Sequence, residues 1–399
     1  MQSVVFHPTL AKSLMALAYT RIARRPAVFA GGPVTMQEIL NEPLSMPTQV
    51  RVRCKLAGVC GTDLSLLRFK VSMRSASMAR KRYLTSALCM GHEAIGEVIE
   101  TGSAVTSLSK GDRVVMIAGA CCAAMRKEPC ALCAAGLPLL CLRRDEFAPR
   151  PSDGAAWSTE FVRDESQLLK IPESVSDEQA ALVEPLACAA HAVLRRPPSA
   201  GDNVIVIGCG TIGLGMILVL RTLDIPVRIL ALARHTHQRA VAEAFGADRV
   251  IDFSNAYEEL ARETNSEILA RAQNRILHPG AARAYDAVGS GETIGHALRW
   301  VRPRGAVVVE GITPAPNPRD CSPVWLREID LIGSHGYGIE QYEGRAIHTF
   351  QLIVDWLAQK KLKPERLISH RFPLREFRKA VRVASDKGAS GAIKVLLNA

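Results

Sequence analysis

Hydrophobic and polar positions divide the chain into two regimes. Up to about Leu194 the apolar residues come in short alternating runs separated by turns. "SVVFHP" at the start, "QVRVRCKLAGVC", "AIGEVIETG" and "GDRVVMIAG" all read as strands, and "KSLMALAY" is read as another. After "RRPPSAGD", a proline-rich break, the period changes. "NVIVIG" is a short apolar strand, followed by an apolar helix from about Ile212. "VRILALA", "RVID", "AYDAVG", "GAVVVEG" and "DLIGSH" follow, mostly with helical stretches between them, one of which ends near Phe245 ahead of Gly246. Six strands alternating with helices predict a doubly wound parallel sheet. Beyond Gly336 the pattern gives a helix ("TFQLIVDWLAQKKL"), a strand ("ISHRFPL"), another helix and a last strand ("AIKVLLN"), a tail expected to return to the first region.

Length agrees with this division, because 399 residues exceed what one core usually holds. Apolar residues make up 48% of the chain, yet no run approaches the ~18 that a membrane span needs. Lysine and arginine outnumber acids 50 to 39, for a net charge of +11. That balance suits anionic partners, but no nucleic-acid motif accompanies it, so neither nucleic acid nor membrane is expected as a partner. The first thirty-seven residues carry Lys12, Arg21, Arg24 and Arg25 and no acid, as transit peptides do. The strand patterns there favour folded structure instead. No secretory signal is recognisable, which points to the cytoplasm and to reduced cysteines.

Reduced cysteines change the reading of "CCAAMRKEPCALCAAGLPLLC". Five of the eleven cysteines fall within these twenty-one residues, a cluster that suits metal better than disulfides. Elsewhere, "GVCGTD" places Cys60 and Thr62 at the end of a strand, "MGHE" pairs His92 with Glu93, and "LVEPLAC" holds Glu184. Thiolate, imidazole and carboxylate are the ligands of a catalytic zinc with an open position. "VIVIGCGTIG" supplies Gly208-x-Gly210-x-x-Gly213 between a strand and a helix, with Thr211 and Ile212 opening the helix. Gly208 permits the turn, Gly210 lets a pyrophosphate approach, and Gly213 lets helix and strand pack closely. At the end of the second strand, where NAD binders carry an acid, stand Ala233 and then Arg234. Without a carboxylate to repel a phosphate, and with a guanidinium to bind one, NADP(H) is favoured over NAD(H).

In combination these motifs resemble the zinc-dependent branch of the medium-chain dehydrogenase/reductase superfamily, the alcohol, polyol and threonine dehydrogenases, over nearly the whole chain. The resemblance implies a GroES-like β-rich catalytic domain in residues 1–190, with a structural-zinc lobe at about 119–145. It further implies a Rossmann domain in 191–336 and a return segment in 337–399 that completes the catalytic domain. It implies two zinc ions per chain. Cys60 and His92 hold the catalytic one, with Glu93 or Glu184 completing the sphere, and Thr62 lies in the proton path. Many alcohol dehydrogenases place a histidine three residues after that threonine; here it is Ser65. Family members hold the structural zinc with four cysteines spaced Cys-x2-Cys-x2-Cys-x7-Cys. Cys130, Cys133 and Cys141 match the last three, but Lys127 stands where the first should be. Cys122 is the expected first ligand, ahead of an inserted stretch, with Cys121 as the alternative.

The expected reaction is hydride transfer between NAD(P) and a secondary alcohol, polyol or sugar, or amino alcohol. Reduction of an imine or activated double bond, and a non-enzymatic scaffold role, are the alternatives. Between Asp63 and Glu93 there is no acid, while Arg68, Lys70, Arg74, Arg80, Lys81 and Arg82 are basic, which suits an anionic small-molecule substrate. Relatives of this kind are commonly homodimers or homotetramers.

Overall fold

A computed structural model describes residues 1–23, 25–68, 87–147, 150–271, 274–313 and 320–399. The chain divides into two compact units, one of Met1–Glu184 with Ile368–Ala399, the other of Pro185–Leu367.

The first unit is built on the long strand Gln49–Val59, whose alternating residues bury Val50, Val52 and Cys54 in the core. It pairs antiparallel with Ala94–Thr101 on one side and with Lys394–Asn398, from the far end of the chain, on the other. Lys394–Asn398 in turn runs parallel to Ile368–Pro373. The tail therefore supplies two strands of this sheet, and the helix Phe377–Ser385 between them packs Phe377, Ala380 and Val381 into the same core. A smaller sheet joins Gln2–Phe6 to Val34–Glu38 and to Leu88–Cys89. "KSLMALAY" is not a strand: Leu10–Ala23 is a helix. Leucine, alanine, lysine and methionine are good helix formers and no β-branched residue interrupts them before Thr20, so local propensity outweighs the apparent alternation.

The second unit holds a six-stranded sheet whose members, in spatial order, are Arg249–Ile251, Arg228–Leu232, Asn203–Ile207, Ala281–Asp286, Val301–Val309 and Asp330–Gly333. Every pairing is parallel. The chain starts in the middle at Asn203–Ile207, steps outward twice, then crosses to the other side. That reversal is the doubly wound Rossmann order, and it puts the loop after Asn203–Ile207 at the point where ligands bind in such sheets. Residues 337–367, read from sequence as the start of the return segment, belong to this unit. Their strands Ile339–Tyr342 and Arg345–His348 form a hairpin, and Tyr337 packs edge-on to Phe350 at the start of the helix Thr349–Ala358. Proximity in sequence to the tail gave no hint of this packing. No helix among the described residues is long and apolar enough to cross a membrane.

Candidate functional site

The strand Gln49–Val59 ends at Cys60, which caps the N-terminus of the short helix Gly61–Leu67. Its backbone N–H donates to Asp63 Oδ2 at 2.9 Å, so the turn is closed by a residue of the same motif. The GHE loop brings His92 and Glu93 to the same end of the sheet. One ligand atom each from Cys60, His92 and Glu93 lie within 4.8 Å of one another. Thr62 places its hydroxyl 3.7 Å from Cys60 Sγ. Burial pushes the His92 ring toward neutrality, but the Cys60 sulfur and Asp63 outweigh it and hold the ring well above its ordinary pKa. Asp63 Oδ1 stands 3.7 Å from His92 Nδ1. A sulfur and a carboxylate that stabilise positive charge on an imidazole will equally stabilise a cation that replaces its proton. The sulfur, nitrogen and oxygen donors are those zinc takes.

Glu93 is only 1% exposed, and both of its oxygens contact Lys394 Nζ, at 2.6 and 2.7 Å. Burial pushes the Lys394 ammonium pKa down, while Glu93 and Cys60, and to a lesser degree Glu184, outweigh it and raise it. The carboxylate fits because residue 58 has no side chain: a Cβ on Gly58 would lie 1.6 Å from Glu93 Oε2. Trp157, buried in the core, fixes that strand, its indole N–H donating to Gly58 O at 2.9 Å. Glu184, half-buried in the first turn of the helix Val183–Arg195, is not among the three clustered ligands. Sequence reasoning assigned no role to Lys394 or Asp63. Asp63 was readable from its place three residues after Cys60, the spacing of a capping box. Lys394 was not, because 301 residues separate it from Glu93.

The cysteine-rich loop forms a second cluster in the same unit. The sulfurs of Cys122, Cys130, Cys133 and Cys141 lie within 4.8 Å of one another. Cys121 packs beside this group without joining it. The Cys122–Cys141 and Cys130–Cys141 separations are 3.6 and 3.9 Å. A disulfide needs ~2.05 Å. Four sulfurs at ~2.3 Å from a central zinc stand ~3.8 Å apart at the edges of the tetrahedron, which matches. Backbone N–H groups point at the sulfurs, from Cys130 to Cys122 at 3.3 Å and from Arg143 to Cys141 at 3.4 Å. The Cys133 and Leu142 amides favour charge on the Cys130 sulfur, while burial pushes the neighbouring Cys133 and Cys141 thiols up. Lys127 is turned to an ion pair with Glu146.

In the other unit, Gly208 follows the central strand with φ of +90°, and a Cβ on Gly213 would stand 1.9 Å from Gly208 O. Gly210 caps the helix Thr211–Thr222, which Thr211 and Ile212 open. Its N-terminus therefore meets the loop through a residue with no side chain, as an approaching phosphate requires. Ala233 is buried, and Arg234 beyond it is exposed. Of the basic stretch, Arg68 is described; Lys70, Arg74, Arg80, Lys81 and Arg82 lie outside the described residues.

Comparison with known proteins agrees with this arrangement. Residues 46–173 match the alcohol dehydrogenase GroES-like domain, and 211–352 the zinc-binding dehydrogenase domain. An L-idonate 5-dehydrogenase of Vitis vinifera is 31% identical over 354 residues, 88% of each chain. A sorbitol dehydrogenase of Arabidopsis thaliana is 31% identical over 88% of this chain and 89% of its own. Among solved structures, the alcohol dehydrogenase TADH from Thermus sp. ATN1 superposes with a TM-score of 0.72 at 25% identity, covering 100% of this chain and 99% of that one. The chain thus belongs to the zinc-dependent alcohol dehydrogenase family and is an oxidoreductase that transfers hydride between an alcohol and a nicotinamide dinucleotide.

Proposed function

We propose that the enzyme oxidises a secondary hydroxyl of a polyol or sugar acid and, in reverse, reduces the corresponding ketone. The observation that carries this reading is the convergence of Cys60, His92 and Glu93 within 4.8 Å, beside the hydroxyl of Thr62. Cys60 and His92 are the residues that would hold the catalytic zinc, with Glu93 as the nearer of the two carboxylates considered for it. A zinc held there would supply a Lewis acid for the substrate oxygen. The Thr62 hydroxyl lies in the proton path, accepting the substrate's hydroxyl proton only as it gives up its own. Ser65 stands three residues further along the helix, where many alcohol dehydrogenases carry a histidine. Lys394 holds Glu93 at the edge of the site. Cys122, Cys130, Cys133 and Cys141 would hold a second, structural zinc that stabilises a lobe with little core of its own.

The glycine loop from Gly208 to Gly213 receives the dinucleotide pyrophosphate, and Ala233 with Arg234 favours NADP(H). The polyol reading draws on the sorbitol and L-idonate dehydrogenases among the relatives. Idonate is a carboxylate, which accords with the basic segment and an anionic substrate. A homodimer or homotetramer is the proposed assembly, readable by light scattering. The reading is tested by initial rates of NADPH and NADH formation on a panel of polyols, sugar acids and simple alcohols, for the wild type and Cys60→Ala. Polyols or sugar acids should turn over fastest and the variant should be inactive. Turnover of activated double bonds without turnover of any alcohol would reverse the reading.

A further inference from the structure

The end of the first unit that carries Cys60 also gathers three cations from distant parts of the chain. Val395 pairs with Val59 across antiparallel strands, so Lys394 and Cys60 stand side by side where the two strands meet the site. The helix that begins at Cys60 ends at Arg68, whose Nη2 donates to Ser385 O at 3.2 Å. Lys387 follows two residues later, in the turn between the helix Phe377–Ser385 and the last strand. Burial, Lys394 and Arg68 together lower the Lys387 ammonium pKa, and Cys60 works against them. Burial likewise lowers that of Arg68.

What separates these cations is their partners. Lys394 has Glu93. Arg113, half-buried in the same unit, has Asp177, and Arg163 gives its donors to the backbone carbonyls of Asp153, Gly154 and Val162. Arg68 and Lys387 make no ion pair among the described residues. The residues that follow Arg68 offer none either, since no acid occurs from Leu64 to His92. Asp386, next to Lys387 in the chain, is exposed and pairs with neither. Two partly buried cations without a carboxylate are costly unless an anion completes them. A guanidinium beside an ammonium suits phosphate or carboxylate oxygens.

We infer that Arg68 and Lys387 form a subsite for the phosphate or carboxylate group of a bound ligand, next to the Cys60 end of the catalytic unit. The inference rests on the dehydrogenase reading for its ligands. The group it would take is the phosphate or carboxylate of an anionic substrate.

The test uses the zinc-loaded full-length protein as wild type, Arg68→Gln, Lys387→Gln and Lys387→Arg. Inorganic phosphate is titrated by calorimetry. Each glutamine variant should bind it about tenfold more weakly, the loss of one charge-assisted hydrogen bond, and Lys387→Arg should restore binding. A further arm tests the ligand. A fall of about tenfold in the ratio of kcat/KM for sorbitol 6-phosphate over sorbitol in the glutamine variants supports the subsite, and an unchanged ratio overturns it. No phosphate binding by the wild type, or equal binding by all four proteins, overturns the subsite. The calorimetric arm needs no turnover, so inactivity of the wild type on every alcohol would defeat the proposed function separately.

Discussion

Replacing Lys394 with methionine tests the buried ion pair at the edge of the site. Methionine keeps much of the side-chain volume, so the change chiefly removes a charge. At the observed 2.6 Å, and with an effective dielectric constant of ~20, the attraction amounts to roughly 6 kcal/mol. Bringing each ion out of water costs several kcal/mol, so the pair as a whole contributes little net stability. The single variant is different. It removes the attraction but leaves Glu93, 1% exposed, with its desolvation cost uncompensated, for an expected loss of about 3–5 kcal/mol. Lys394→Met with Glu93→Gln should recover at least half of that loss. The assay is urea unfolding followed by fluorescence at fixed zinc concentration, arranged as a double-mutant cycle. A loss below about 1 kcal/mol for Lys394→Met, or strict additivity of the two changes, would refute the reasoning.

Other perturbations probe other parts of the molecule. Cys133→Ala should release one zinc per chain and lower the melting temperature, whereas Cys121→Ala should keep full zinc content; metal analysis separates the two. Ala233→Asp should shift the ratio of specificity constants toward NAD(H), and Arg234→Ala should weaken NADP(H) by about one power of ten. A wild-type preference for NAD(H) of tenfold or more would contradict the Ala233 argument. His348 caps the helix Thr349–Ala358, its Nδ1 accepting the Phe350 N–H at 3.2 Å, and burial and His191 lower its pKa to about 4. The unfolded chain therefore binds the proton first. The stabilisation is full above about pH 6.5 and is lost as pH falls toward 4, a difference of about 3 kcal/mol. His348→Asn keeps a cap but removes the titration, so wild type should lose stability relative to the variant as pH falls; parallel curves would dismiss this role.

Which parts could be read from sequence follows from how local their causes are. The parallel strands around Asn203–Ile207 announce themselves as apolar runs between glycines and helices, because strands covered on both faces need no polar alternation. Cys60, His92 and Glu93 stand in motifs whose residue types are already those of zinc, and the structure brings them together. Cys122 joins its cluster through a turn that absorbs the residues inserted before Cys130. Lys394 was hidden, since it sits mid-strand in "AIKVLLN" and its meaning comes from Glu93, met only through sheet pairing. Arg68 and Lys387 likewise become neighbours only when the tail returns to the first unit. The segment of the helix Leu10–Ala23 suits a strand pattern as well, because alternation over eight residues fits either period when small alanines separate the large side chains.

The central claim is that one zinc is held at Cys60 and His92 and another by the four-cysteine loop. Anomalous diffraction at the zinc edge, on crystals of protein prepared without chelators, tests it most directly. The expected result is two peaks per chain, one within bonding distance of Cys60 Sγ and a His92 ring nitrogen, the other at the centre of Cys122, Cys130, Cys133 and Cys141. Zinc in the four-cysteine loop with no peak beside Cys60 in zinc-saturated crystals would contradict the assignment of the catalytic site.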